Sequence, residues 1–342
     1  MANQPSKAPT SFAELIALKP LGPQSTITLN APEKIEQFES IAPPHCSGDG
    51  SHAFGGHGFV VHSMSGTFIL AGRAEVPYIY TVRHLRDGAV YCTRAVDARQ
   101  DGRICFSGIV SFKRAEKRDA FGHQPPSAQE RYRSILESKR PEEQPVSPSV
   151  DSETWISQVR SGKVAEPEFP GLDVRKVDMT GFNDSPEIKR SPEKYRQLAL
   201  YSLTGSPDAG AGTEKEGLRL REREAEGEFD NLYACAHMYA SDKNSLLLIP
   251  RALGIREWRA LASLTLTIVL HLHGEPLRMI DWDAVQDECQ TAEVPKKWFI
   301  QETSTPQSGE SRGVHQSWLW APDGKLLATC YQDGMMRVNG RL

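Results

Sequence analysis

Through the first third of the chain, apolar residues alternate with polar ones over short runs. Residues 26–30, 59–70, 78–84, 90–97 and 104–113 carry the β-branched and aromatic bias and the period of two that predict strands. Arg86-Asp87-Gly88 and Gln100-Asp101-Gly102 supply the Asp-Gly signal of tight hairpins, so these runs predict an antiparallel meander. The pattern is lost between residues 115 and 170, where Pro, Ser and charged residues replace large apolar ones, as in a polar linker that wraps a surface or is partly disordered. It returns at residues 172–179, 261–273, 298–302, 314–321 and 325–331, with Pro322-Asp323-Gly324 as the turn between the last two. One apolar helix is expected over residues 231–253, where Leu232, Ala236, Tyr239 and Leu246 fall near helical spacing. The Gly-rich stretch 205–217 and the charged residues 219–228 read as a solvated loop and helix start.

Composition narrows the function classes. A chain of 342 residues is long enough for two domains with sizeable cores. With a net charge of −4 and a pI of 6.2 it has no basic footprint for nucleic acid. The cysteines at 46, 92, 105, 235, 289 and 330 form neither a C-x-x-C pair nor a metal-ligand spacing, so free thiols, without disulfides or structural zinc, are expected. The N-terminus lacks the apolar core of a secretory signal, and the apolar run 261–272 is short and interrupted by Ser, Thr and His, so no membrane span is expected. There is no Gly-x-Ser-x-Gly elbow, no phosphate-binding Gly-x-x-x-x-Gly-Lys loop and no His-Glu-x-x-His helix.

The candidate chemistry lies in three polar residues set in apolar surroundings. Asp242 closes Tyr239-Ala240-Ser241-Asp242, Ser263 follows Leu261-Ala262, and Gln332 precedes Asp333-Gly334. Singly, each has a plain structural reading, as a helix cap, a strand serine and a turn residue. Together, with Ala53-Phe54-Gly55-Gly56 and the Leu85-Arg86-Asp87-Gly88 turn, they resemble the acyl-CoA thioesterase II family of double hot-dog enzymes. That resemblance implies an α+β fold of two antiparallel sheets, each curled around a helix. It divides the chain into an N-terminal tail (1–22), a first hot dog (23–114), the linker (115–170) and a second hot dog carrying the site (171–342).

The implied activity is hydrolysis of an acyl-CoA to free CoA and a carboxylic acid. Asp242, Ser263 and Gln332 would orient the water, and backbone N–H groups at a helix N-terminus would meet the oxyanion. CoA is then substrate, no cofactor or metal is called for, and the family implies homodimers or homotetramers. Tyr239, Leu246, Leu264 and Ile268 are expected near the acyl group, and His57 near the domain interface. Gly340-Arg341-Leu342 is similar to a peroxisomal ending with Gly in place of Ser or Ala, which implies a peroxisomal or cytoplasmic location.

The chain departs from the family in two places. About twenty residues, or ~30 Å of helix, are missing after Gly55-Gly56, so the first hot dog is expected to lack its helix. Either another segment fills that groove, or this half is loosely ordered, or an exon boundary has been misread. After Ser263 the Asp-His pair of many relatives is replaced by Thr265-Leu266, leaving His271 or His273 as candidates for the terminal His of that strand. Two alternatives therefore stay open: a non-catalytic acyl-CoA-binding or scaffold protein, and a hot-dog dehydratase or hydratase.

Overall fold

A computed structural model describes residues 11–23, 34–42, 59–114, 116, 121–208, 214–286 and 295–338. Its first part contains helix α1 (Phe12–Leu15) and strands β1 (Leu18–Pro23), β2 (Ile35–Ser40), β3 (Val60–Phe68), β4 (Ile79–Asp87), β5 (Tyr91–Gln100) and β6 (Arg103–Lys113). The short helices α2 (Ala128–Arg131), α3 (Arg133–Leu136) and α4 (Glu153–Arg160) follow, then β7 (Leu172–Lys176), α5 (Thr180–Asn183), α6 (Pro186–Lys189) and β8 (Gln197–Leu203). The last part holds α7 (Glu214–Ala225), α8 (Asp230–Asp242), α9 (Leu248–Ala252), β9 (Trp258–Leu270), β10 (Phe299–Gly309), β11 (Arg312–Trp320) and β12 (Leu326–Val338).

The twelve strands of the described residues form one antiparallel sheet in the order β1-β2-β4-β5-β6-β3-β9-β12-β11-β10-β8-β7. Read inward from either edge, the two halves have the same order, 1-2-4-5-6-3 and 7-8-10-11-12-9. The repeat, too faint to claim from residue identities, is therefore plain in the topology. The halves meet where β3 pairs with β9, from Ser63 opposite Val269 to Thr67 opposite Thr265, and Ser65 Oγ and Thr267 Oγ1 lie 3.0 Å apart across that seam.

The halves differ in what connects their second and third strands. In the second half, residues 204–257 carry α7, α8 and α9. In the first half only residues 41–59 are available, and no helix occurs among those described. Burial of the first half's inner face nevertheless joins that of the second. Met64, Tyr80, Val82, Val96, Phe106 and Val110 belong to the same buried cluster as Phe12, Tyr233, Tyr239 and Ile268. Phe106 lies flat on its own sheet: a Cβ on Gly66 would come within 2.1 Å of its ring, and one on Gly108 within 3.0 Å.

Several sequence expectations are revised. The supposed N-terminal tail contributes α1 and β1, which pairs with β2, and Phe12 packs with its ring centroid 5.6 Å from that of Tyr239. The strand expected at 26–30 lies outside the described residues. The linker anchors itself through buried groups: Ala128 and Tyr132 pack with Leu198, Leu200, Ile300 and Trp320. Arg131, Tyr132 and Trp320 all donate to the buried Glu302 carboxylate. In the charged stretch 219–228, Leu220 is part of the core and Glu224 is buried, accepting from Tyr233 Oη and Trp282 Nε1, each at 2.6 Å, so these two residues face inward.

Candidate active site

Helix α8 is buried on nearly every side, from Tyr233 to Ser241, which fits a helix enclosed by a curled sheet better than a one-sided amphipathic surface helix. His237 fixes it in place, with Nδ1 2.8 Å from Tyr201 Oη and Nε2 3.0 Å from Leu277 O; burial drives its pKa down to about 4, so it stays neutral. The single helix expected over 231–253 is broken after Asp242. Lys243 is extended (ψ 115°) and Asn244 adopts a left-handed φ of 57°, a conformation Asn tolerates better than most residues.

This break is held from outside. Asn244 Nδ2 donates to Pro148 O at 2.9 Å and to Ser147 Oγ at 3.2 Å, and Lys243 Nζ donates to Pro148 O at 2.8 Å. The linker thereby grips the residues directly after Asp242 and leaves the carboxylate at the helix end, facing the sheet. On the far side of the break Leu246 and Ile249 press onto two glycines. Gly313 of β11 and Gly334 of β12 are register partners, and a Cβ there would come within 2.7 Å of Ile249 and 2.5 Å of Leu246. Gly334 is thus required by close approach, two residues from Gln332 on the same face.

Ser263 reaches this face through an irregularity. Asp333 pairs with Thr265 but Gly334 pairs with Ser263, which leaves Leu264 as a β-bulge. Strict alternation from the buried Leu266 would turn residue 264 inward and Ser263 outward. With the extra residue, Ser263 and Leu266 both stand on the inner face, beside Gln332.

The three candidates meet. Fully buried Gln332 donates through Nε2 to Asp242 Oδ1 at 2.7 Å and to Ser263 Oγ at 2.9 Å, across sequence separations of 90 and 69. Ser245, not singled out from the sequence, donates to the same Asp242 oxygen at 3.0 Å. Both Gln332 amide hydrogens are now committed, while Gln332 Oε1 has no protein partner among the described residues. Burial raises the Asp242 pKa, and the hydrogen bonds from Gln332 and Ser245 act against that rise. Among the described residues the arrangement leaves uncommitted an acceptor (Asp242 Oδ2), a donor (the Ser263 hydroxyl hydrogen) and a further acceptor (Gln332 Oε1), groups of the kind needed to hold and deprotonate a water. His315 opposes Gln332 on β11 and is buried with neither ring nitrogen bonded to a described residue; burial takes its pKa to about 3. A neutral ring with both nitrogens open beside Gln332 is a polar neighbour that the sequence motifs did not flag.

The remaining candidates divide. Tyr239 is buried and stacks on Phe169 at 4.7 Å, three residues before Asp242. Leu246 covers Gly334, Leu264 occupies the bulge, and Ile268 is a core residue further along β9. His271 and His273 do not join the triad. They lie eight and ten residues from Ser263 at the far end of β9, ~26 Å away for the nearer one, where they bond Thr329 Oγ1 and Val61 O. His57 and the Ala53–Gly56 motif lie outside the described residues, as do Gly340–Leu342. The expected oxyanion donors do not come from α8, because that helix meets the triad with its C-terminal end, whose dipole disfavours negative charge. No helix of the described residues is long and apolar enough to cross a membrane. The four described cysteines, 92, 105, 235 and 330, are buried thiols.

Comparison with known proteins identifies the family and the fold. The acyl-CoA thioesterase N-terminal domain profile matches residues 49–113 and the C-terminal domain profile matches residues 175–336. The chain is 27% identical over 285 residues to acyl-coenzyme A thioesterase 8 of Homo sapiens, covering 81% of this chain and 73% of that one. The Rattus norvegicus protein of the same name is 28% identical over 290 residues, covering 82% and 74%. Among solved structures, acyl-CoA thioesterase II TesB2 from Mycobacterium marinum superposes with a TM-score of 0.57 at 18% identity, covering 96% of this chain and 99% of that one. A tesB protein of Mycobacterium avium subsp. paratuberculosis gives 0.54 at 15% identity, covering 95% and 97%. At those identities the two structures support the double hot-dog fold alone.

Proposed function

Since the chain belongs to the acyl-CoA thioesterase family, with both domain profiles matched in order, we propose that it hydrolyses an acyl-CoA through a water held by Asp242, Ser263 and Gln332. The observation that carries this reading is the pair of hydrogen bonds by which one buried amide, Gln332 Nε2, ties Asp242 to Ser263.

The division of labour follows from which atoms are left open. Oδ1 of Asp242 is taken by Gln332 and Ser245, so Oδ2 accepts a proton from the water. Ser263 already accepts from Gln332, so its own hydrogen points to the water oxygen and orients the attacking lone pair. The water oxygen adds to the thioester carbonyl carbon, the C–S bond breaks, and the proton held by Asp242 passes to the departing CoA thiolate. Attack by water requires no acyl-enzyme, and Gln332, fixed by two bonds, keeps base and donor at a set separation.

The test is thiol release from short, medium and long acyl-CoAs by the wild type and by Asp242→Ala, both shown to be folded. Turnover lost in the variant supports the scheme. A folded wild type that binds acyl-CoA without releasing thiol would make the protein a non-catalytic binder, and a hydrated thioester product would make it a hydratase.

A further inference from the structure

Behind the α8–α9 break lies a groove of about 880 Å3 between the linker, the 177–197 segment and the α9–β9 turn. Its volume falls in the range of small-molecule sites. Its charge runs against that of the protein. Six Lys or Arg and four Asp or Glu line it, in a chain whose net charge is −4. The surplus extends to the floor. Asp151, 1% exposed, is met by two cations, Lys176 Nζ at 2.8 Å and Arg251 Nη1 at 2.5 Å, with Gln197 Nε2 at 3.2 Å. One buried carboxylate lies between two partly buried cations, with Asp178 a second acid acting on Lys176, and a low-dielectric cleft strengthens the field of whatever charge is left. At the rim Lys139 adds charge in solvent, Arg256 lies 3.8 Å from Glu153, and Trp258 and Tyr195 are aromatic residues of the lining.

The groove is also tied to the triad. Arg251 belongs to α9, whose Ile249 rests on Gly313, while Trp258 begins the strand that carries Ser263. The Asp151 N–H donates to Asn244 Oδ1, two residues after Asp242. Along β9, Trp258 at the groove and Ser263 of the triad are five residues apart, ~16 Å of strand.

We propose that this groove binds the phosphate-bearing nucleotide end of the CoA thioester, Lys176 and Arg251 meeting phosphate from the floor, Lys139 and Arg256 from the rim, with Trp258 beside the base. The assignment rests on the thioesterase reading above and adds to it the part of the substrate that sets affinity. It predicts that rim charge is felt by acyl-CoA and not by a thioester lacking the nucleotide.

The experiment pairs calorimetry with kinetics on the full chain, comparing wild type with the surface double variant Lys139→Glu/Arg256→Glu. The probe 3′,5′-ADP is expected to bind the wild type, more tightly than inorganic phosphate or adenosine, and to bind the variant about tenfold more weakly. The ratio of kcat/KM for acyl-CoA to that for the matching acyl-N-acetylcysteamine is expected to fall by about tenfold in the variant, and in the wild type to fall as salt is raised. Failure of 3′,5′-ADP to bind, equal affinity of wild type and variant, or an unchanged ratio overturns the assignment. If the wild type hydrolyses neither thioester, the functional reading fails separately, and calorimetry alone decides the groove.

Discussion

The two halves of the sheet share one strand order but not one task. The half from β7 to β12 wraps a buried helix, breaks that helix at Asn244, bulges a strand at Leu264 and thereby brings Asp242, Ser263 and Gln332 together. The half from β1 to β6 has no described helix between its second and third strands and lays Phe106 across its own glycines. Among its described residues the contribution to the site is indirect: β3 pairs along the same stretch of β9 that leads to Ser263. A repeated framework can thus keep its pairing in both copies while the chemistry, and the irregularities it needs, collect in one.

The largest effect separating the halves is expected from Asp242→Ala, with kcat down roughly 10³-fold in a protein whose circular dichroism is unchanged. Gln332→Leu is expected to lower kcat roughly 10²-fold and to move the pH profile. In the proposed scheme the carboxylate form of Asp242 is the working one and burial raises its pKa, so activity is expected to fall as pH drops through a value above the ordinary one for Asp. Removing the Gln332 hydrogen bond, which opposes that rise, moves this acid limb higher; a limb that stays put would detach Asp242 from the rate. Matched glycine variants sharpen the contrast. Gly334→Ala meets Leu246 at 2.5 Å and should cost about 1–3 kcal/mol in denaturant melts together with activity, because Leu246 follows Asp242 by four residues. Gly66→Ala meets the Phe106 ring and should cost a similar ~1–3 kcal/mol while sparing kcat; a matching loss of kcat would mean that the first half shapes the site after all. The smallest effect is expected at the seam, where Ser65→Ala should lose about 0.2–1 kcal/mol, read from the same melts.

What the sequence made legible was local. The meanders show as period-two runs, the hairpins as Asp-Gly pairs, and the triad as three polar residues in matching contexts. What it hid depends on partners. Nothing in Leu261-Ala262-Ser263-Leu264 reveals a bulge, because a bulge exists only relative to the register of β12. The helix break at Lys243-Asn244 is likewise invisible until Ser147, Pro148 and Asp151 are brought from the linker to hold it. The linker itself looked polar because its few apolar anchors, Ala128 and Tyr132, are spaced too sparsely to give a period. His315 went unnoticed because a lone strand histidine carries no motif, and only its position opposite Gln332 makes it a neighbour of the site.

The bulge at Leu264 sets the regularity of the ladder against the assembly of the triad. Drawing that residue into register, so that Leu264 and not Ser263 stood opposite Gly334, would remove the irregularity between Asp333 and Gly334. It would also rotate Ser263 to the outer face and leave Gln332 holding Asp242 alone. Deleting Leu264 would instead keep Ser263 opposite Gly334, so the site depends on the register in which Ser263 pairs more than on the identity of residue 264.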